Sequence, residues 1–266
     1  MQTWLLIRGL TRENRHWGDF LDQLQLAMPA DKIIALDLPG NGRLNLQHSP
    51  MRIQDMVEHC RAQLATQNIA PPYNILAMSM GAMVAVAWSD MYPQEVAAQV
   101  LINTSMRPFS PFYHRLLPAN YALLLKLSLM GATPEVWERA VLNLTSNRTH
   151  DDHDDVLPLW LALRHENPVS RSNAIRQLIA AARFHAPFVK PPVSTLLLTS
   201  EQDHLVSVNC SNTLASYWQC DLRVHNSAGH DLPLDDAAWV IAQLQAWMAE
   251  KLSYNIAICN PTNPRI

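Results

Sequence analysis

The chain has 266 residues, 48% of them hydrophobic, and its 20 basic against 23 acidic side chains give a formal net charge of -3. That balance excludes an electrostatic case for nucleic acid or an anionic membrane as partner, and the length suits one large domain with an insertion. The four cysteines, Cys60, Cys210, Cys220 and Cys259, lack Cys-x-x-Cys spacing, which argues against a zinc knuckle or redox pair and leaves them as reduced packing thiols.

In chain order, the apolar run 3–7 reads as the first strand. No basic stretch precedes it and the strand uses the segment, so a signal peptide is not expected and the chain is read as cytoplasmic. A second strand, 32–36, leads into Asp37, Leu38, Pro39, Gly40, Asn41 and Gly42. A third, 73–77, runs into Ala77, Met78, Ser79, Met80 and Gly81, followed by a small-residue helical stretch, 82–88. A strand that turns through a serine into a helix is the layout of a nucleophile elbow, which lifts the hydroxyl clear of the sheet. Backbones crowd at such a turn, and Ala77 and Gly81 supply the small residues it needs.

A fourth strand, 100–103, is followed by 104–192, which contains helical patterns at 120–130, 134–145, 156–164 and 171–185 and no convincing strand. Proline clusters bound this insertion, and the apolar stretch 116–130 is too short and too interrupted for the ~20 residues of a membrane span. Within it, His150, Asp151, Asp152, His153, Asp154 and Asp155 are dense in metal-ligand types. Asp154 or Asp155 as helix N-cap, with the other carboxylates at the positive helix end, is the simpler account, and no metal or organic cofactor is expected. Phe109, Tyr113, Trp137 and Trp160 are candidates for a substrate wall, although aromatics at helical spacing also build cores.

A fifth strand, 195–199, exits into a turn carrying Asp203, and a sixth, 222–225, into a loop carrying Gly229 and His230. A long terminal helix follows, and 253–266 is read as a surface extension without helical continuation. Ser79, Asp203 and His230 thus stand in the order nucleophile, acid, base. Glu201, Asp231 and Asp235 are rival acids, and His204 reads as a loop residue.

With these segments in hand, the chain resembles the α/β-hydrolase fold superfamily, in particular its small, capped, esterase-like group with pimeloyl-ester and menaquinone-pathway relatives. The resemblance extends over nearly the whole length. Leu5 to Leu10 stands where that family has a strand entering a His-Gly oxyanion loop, with Arg8 in place of the histidine. Positions 33–42 resemble its Asp-x-Pro-Gly-His-Gly turn, with Asn41 in place of the histidine, and Ala77 replaces the first elbow glycine.

The resemblance implies an α/β, doubly wound, mostly parallel sheet of about six strands with the N-terminal strands trimmed. The core would be 1–103 and 193–252, with a helical cap at 104–192. It implies a serine hydrolase acting on a small-molecule ester or thioester, with Ser79, Asp203 and His230 catalytic and the amides of Leu10 and Met80 as oxyanion donors. Arg8 is a candidate partner for a substrate carboxylate; alternatively it ties its loop to an internal acid such as Asp37. A triad-based lyase, a carbon-carbon bond hydrolase and a non-catalytic binding protein remain alternatives.

Overall fold

Each of the six apolar runs forms a strand in the computed structural model, which describes residues 1–129, 131–148 and 155–259. They are β1 (Thr3–Ile7), β2 (Lys32–Leu36), β3 (Tyr73–Met78), β4 (Val96–Ile102), β5 (Ser194–Ser200) and β6 (Asp221–His225). All pairings are parallel, in the order β2-β1-β3-β4-β5-β6. The chain winds outward from β1 to β2, then returns to the other side of β1 to place β3. The point where the winding reverses is therefore the seam between β1 and β3, where ligands of open parallel sheets bind beyond the strand ends.

Helices cover both faces: α1 (Phe20–Ala27), α2 (Ile53–Thr66), α3 (Met80–Met91), α9 (Asn209–Trp218), the short α10 (Leu232–Asp235) and α11 (Ala237–Cys259). Period-two alternation assigns the strand side chains. Leu5, Ile7, Ile75 and Ala77 pack with Met56, Cys60, Val84 and Trp88 of α2 and α3. Trp4, Leu6, Leu76 and Met78 pack with Phe20, Leu24, Val240 and Trp247 of α1 and α11. β3 is buried along its whole length, the mark of a strand covered on both faces. Burying each large apolar side chain stabilises the fold by about 1.5–3 kcal/mol.

β4 begins earlier than its apolar pattern suggests because Gln99 lies inside it. That side chain is fully buried and satisfied, accepting from Ser89 Oγ at 2.9 Å and donating to Thr195 Oγ1 at 3.0 Å. A buried glutamine with both ends bonded belongs to a core, yet it breaks the hydrophobic run that marks a strand.

Between β4 and β5 lie α4 (Phe112–Arg115), α5 (Tyr121–Leu129), α6 (Pro134–Thr145), α7 (Val156–Glu166) and α8 (Arg171–Arg183). Thr133 caps α6 by accepting from the Val136 amide, and Ser170 caps α8 by accepting from Asn173. Asp155 occupies the cap position of α7 but makes no side-chain cap bond, so that expectation fails for Asp155. Positions 150–154 of the acidic cluster lie outside the described residues, among which no metal-ligating group is found. The reading of 253–266 as lacking helical continuation fails for 253–259, because α11 runs to Cys259; 260–266 lie outside the described residues. The stretch from Leu252 to Cys259 contains neither Gly nor Pro, so nothing in it stops the helix. No helix among the described residues is long and apolar enough to cross a membrane.

Candidate active site

Ser79 joins β3 directly to α3, with φ 54 and ψ -118, in a region that side chains other than glycine rarely enter. Its backbone is pinned on both sides, the amide donating to Ile102 O at 2.9 Å and the carbonyl accepting from Thr104 Oγ1 at 3.3 Å. Two glycines make the turn sterically feasible. A Cβ at Gly9 would come within 3.0 Å of Ser79 Cβ, and one at Gly81 within 2.6 Å of the Arg8 carbonyl. The exit loop of β1 thus lies against the serine at the β1–β3 seam. Ser79 is half-buried, whereas its neighbours Met78 and Met80 are buried.

Asp203 and His230 form a close buried pair, His230 Nδ1 lying 2.7 Å from Asp203 Oδ2. Asp203 Oδ1 accepts from the amides of Leu205 at 2.7 Å and Val206 at 2.9 Å. A carboxylate only accepts, so Nδ1 carries the proton of the imidazole and Nε2 keeps its lone pair. The rival acids are otherwise placed. Glu201 is exposed, Asp231 pairs with Arg8, and Asp235 accepts from Ser146 Oγ and the amides of Asn147 and Gly229. Burial pushes the Asp235 carboxyl above its ordinary pKa, against these donors. His204 is exposed in the same turn.

Asn103, just past the end of β4, links the His230 loop to the strands. Its Nδ2 reaches His230 O at 2.8 Å and Gly229 O at 3.2 Å, and its Oδ1 accepts from the Ser200 amide at 2.8 Å. Asn103 and Thr104 are consecutive residues, so the segment that fixes the Ser79 carbonyl also fixes that of His230. No local signal in the sequence singles out Asn103.

Arg8 binds neither Asp37 nor an open site. Its guanidinium makes a two-pronged pair with Asp231, one prong at 2.9 Å, and also donates to Met78 Sδ at 3.5 Å. It therefore bridges the residue before Ser79 and the residue after His230. Asp37 instead accepts from the amides of Asn14 and Arg43 and is raised in pKa by burial. Asn41, where the resemblance has histidine, donates to Arg12 O and accepts from Gln177 Nε2, while Gln177 Oε1 takes the Thr11 amide. Among the described residues, the amides of Leu10 and Met80 have no protein acceptor.

The aromatic candidates do not form one wall. Phe109 packs on Tyr217 and Trp218, and Tyr113, in α4, stacks on Phe112 and His114. Trp137 and Trp160 lie on α6 and α7, under the guanidinium groups of Arg164 and Arg12. A cavity of about 780 Å³ is lined by Trp17, Phe20, Trp160, His225 and Asp235; Ser79, Asp203 and His230 do not line it.

A search of curated proteins finds no match. Among solved structures, the enol-lactonase from Burkholderia xenovorans LB400 is similar over 93% of this chain and 91% of that one, with TM-score 0.76 and 16% identity. A thermophilic esterase from Thermogutta terrifontis matches over 94% and 90%, with TM-score 0.73 and 18% identity. At these identities the likeness is one of fold. The alpha/beta hydrolase family model matches residues 4–243, and with that span added to the sheet order and the serine at its seam, the chain belongs to the alpha/beta hydrolase family.

Proposed function

We propose that the protein is a serine hydrolase of small carboxylic esters or thioesters, with Ser79 as nucleophile, His230 as general base and Asp203 as its orienting acid. The observation that carries this reading is the backbone of Ser79, held at φ 54 and ψ -118. A side chain in such a region costs of order 1–3 kcal/mol, and glycine would occupy it freely, so a serine there has a use for its hydroxyl. The Asp203–His230 pair supplies a base with the required tautomer. The lactonase and esterase names among the structural neighbours agree with the reaction class.

In the proposed cycle, His230 Nε2 takes the Ser79 proton as Oγ attacks the carbonyl carbon. The negative charge that builds on the carbonyl oxygen is met by the unfilled amides of Leu10 and Met80. The imidazolium then protonates the departing alcohol or thiol. Water, deprotonated by the same nitrogen, hydrolyses the acyl-enzyme and restores Ser79. Water is the one co-reactant, and protein groups carry every proton transfer.

A fluorophosphonate probe tests this reading. Stoichiometric labelling at Ser79, abolished in Ser79→Ala and in His230→Ala, is the expected result. A folded wild-type protein that is not labelled overturns it.

A further inference from the structure

The cap meets the β1 exit loop through charge. Glu138 of α6 is 3% exposed and receives two cations, Arg12 Nη1 at 2.7 Å and Arg164 Nη1 at 2.8 Å. One carboxylate serving two guanidinium groups leaves a surplus positive charge beneath the cap. Around it, Arg8 and Asp231 neutralise each other, burial keeps His16 uncharged, and Arg15 is shared by Glu13 and the exposed Glu166, carboxylates already engaged with a cation of their own.

Arg12 is the less exposed of the two cations sharing Glu138, 11% against 33% for Arg164. Its guanidinium carbon lies 4.1 Å from the centre of the Trp160 ring. Both of its side-chain contacts, to Glu138 and to His16 Nε2 at 3.2 Å, use Nη1. The N–H groups of Nε and Nη2 have no acceptor among the described residues, and neither atom is sealed from solvent as Arg8 Nε is. A planar fork of N–H donors, anchored through Nη1 and left open along its other edge, matches a carboxylate. Burial also pulls the Arg12 pKa below its ordinary value despite Glu138.

The open edge belongs to the segment that touches Ser79. The Arg12 amide donates to Gly9 O at 3.3 Å, closing a turn on the glycine that abuts the serine. From Glu138 the helix α6 runs to Thr145, whose carbonyl accepts from the Asp231 amide at 2.6 Å. Those seven residues span about 10 Å at 1.5 Å per residue. α6 therefore ties the partner of Arg12 to the loop of His230 through one short helix.

We infer that Arg12 is a specificity-determining residue that receives a carboxylate on the substrate, so the preferred ester is one bearing an anionic group. The ester half of this statement rests on the proposed hydrolase reading; the anion site does not.

The test compares kcat/KM for monomethyl glutarate and methyl pentanoate, together with calorimetric titration of glutarate against the uncharged glutaramide. Wild type should favour the charged ester by about 10- to 100-fold, the worth of a charge-assisted pair, and should bind glutarate but not glutaramide. In Arg12→Met the ratio should fall toward one and glutarate binding should be lost. In Glu138→Gln, which frees Arg12 from its carboxylate, the ratio and the affinity for glutarate should rise. Equal use of both esters by wild type, or a ratio that survives in Arg12→Met, overturns the inference. Should Arg12→Met not fold, an unchanged or lower ratio in Glu138→Gln overturns it equally. If Ser79 resists the fluorophosphonate and neither ester is cleaved, the hydrolase reading fails. Glutarate binding then decides the anion site alone, and no binding by wild type sinks it.

Discussion

Two neighbouring segments of the site are held in opposite ways. The β3–α3 turn is held by its backbone: two main-chain contacts pin Ser79, and Gly9 and Gly81 let other chains come close. The β1 exit loop is held by remote side chains, Arg8 by Asp231, Thr11 by Gln177 and Arg12 by Glu138. A backbone-built turn needs only small residues beside it. A loop built on remote side chains needs partners 223, 166 and 126 positions away. The first is strained at one residue; the second is tied to α6 and α8 and responds to changes in their side chains.

The largest expected effect tests whether the backbone-held serine has a working base. In Asp203→Asn, Oδ1 can still accept from the amides of Leu205 and Val206, while the new NH2 faces His230 and forces Nδ1 to accept. The wrong tautomer should cost about 10⁴-fold in turnover, the scale seen for such a change in another serine hydrolase, with the thermal midpoint nearly unchanged. Ester kinetics beside a melting curve measure both. Near wild-type turnover would remove Asp203 from the triad.

Next in size is the loop's buried ion pair. Arg8→Met leaves the Asp231 carboxylate, 2% exposed, without its partner. Stability to urea should fall by about 3–5 kcal/mol, and Arg8→Met with Asp231→Leu together should recover most of it. If the double variant is as unstable as the single one, the loop depends on something other than charge pairing.

A smaller effect reads the same loop through pH. Burial first, then the charges of Arg12 and Arg8, hold the His16 imidazole well below its ordinary pKa of 6.5, and Arg15 adds to this. The folded state thus binds its proton less readily than the unfolded state. The stabilisation is complete above about pH 6.5 and is lost as pH falls below it, at about 1.4 kcal/mol per pH unit until the folded pKa is reached. Asp37 and Asp235, raised by burial, slope the other way, so the comparison with His16→Phe isolates the histidine. Urea titrations at pH 7.5, 6.5 and 5.5 should show the wild type losing more stability than the variant. Parallel curves would mean that His16 takes up its proton without penalty.

The contrast also explains what the amino-acid order disclosed. Strand positions, their parallel arrangement and the helices between β4 and β5 follow from local hydrophobic periodicity, which the tertiary fold does not contradict. The elbow was legible for the same reason: strand, serine and small residues are consecutive. Arg8 illustrates the limit. Its position in the β1 exit loop suggested a pairing with Asp37 or with substrate, whereas the partner, Asp231, is set by how two loops meet in space. Glu138 gave no signal, since a glutamate on a helix is ordinarily solvated and only the packing of α6 against the β1 loop buries it. Gln99 hid part of β4 because its polar ends are satisfied by residues from two other elements.

The smallest effect goes to the strain itself. Ser79→Gly and Ser79→Ala should both lose fluorophosphonate labelling, but they should part in stability. Alanine keeps a Cβ at φ 54, whereas glycine enters that region freely. Glycine also gains chain entropy in the unfolded state, which offsets roughly 0.5–1 kcal/mol of the relief. With strain of order 1–3 kcal/mol, the glycine variant should come out about 1 kcal/mol more stable than the alanine variant by urea denaturation. An alanine variant as stable as the glycine one would mean that the turn accepts a side chain without strain. The case for Ser79 as nucleophile would then rest on its neighbours Asp203 and His230 instead of on its own backbone.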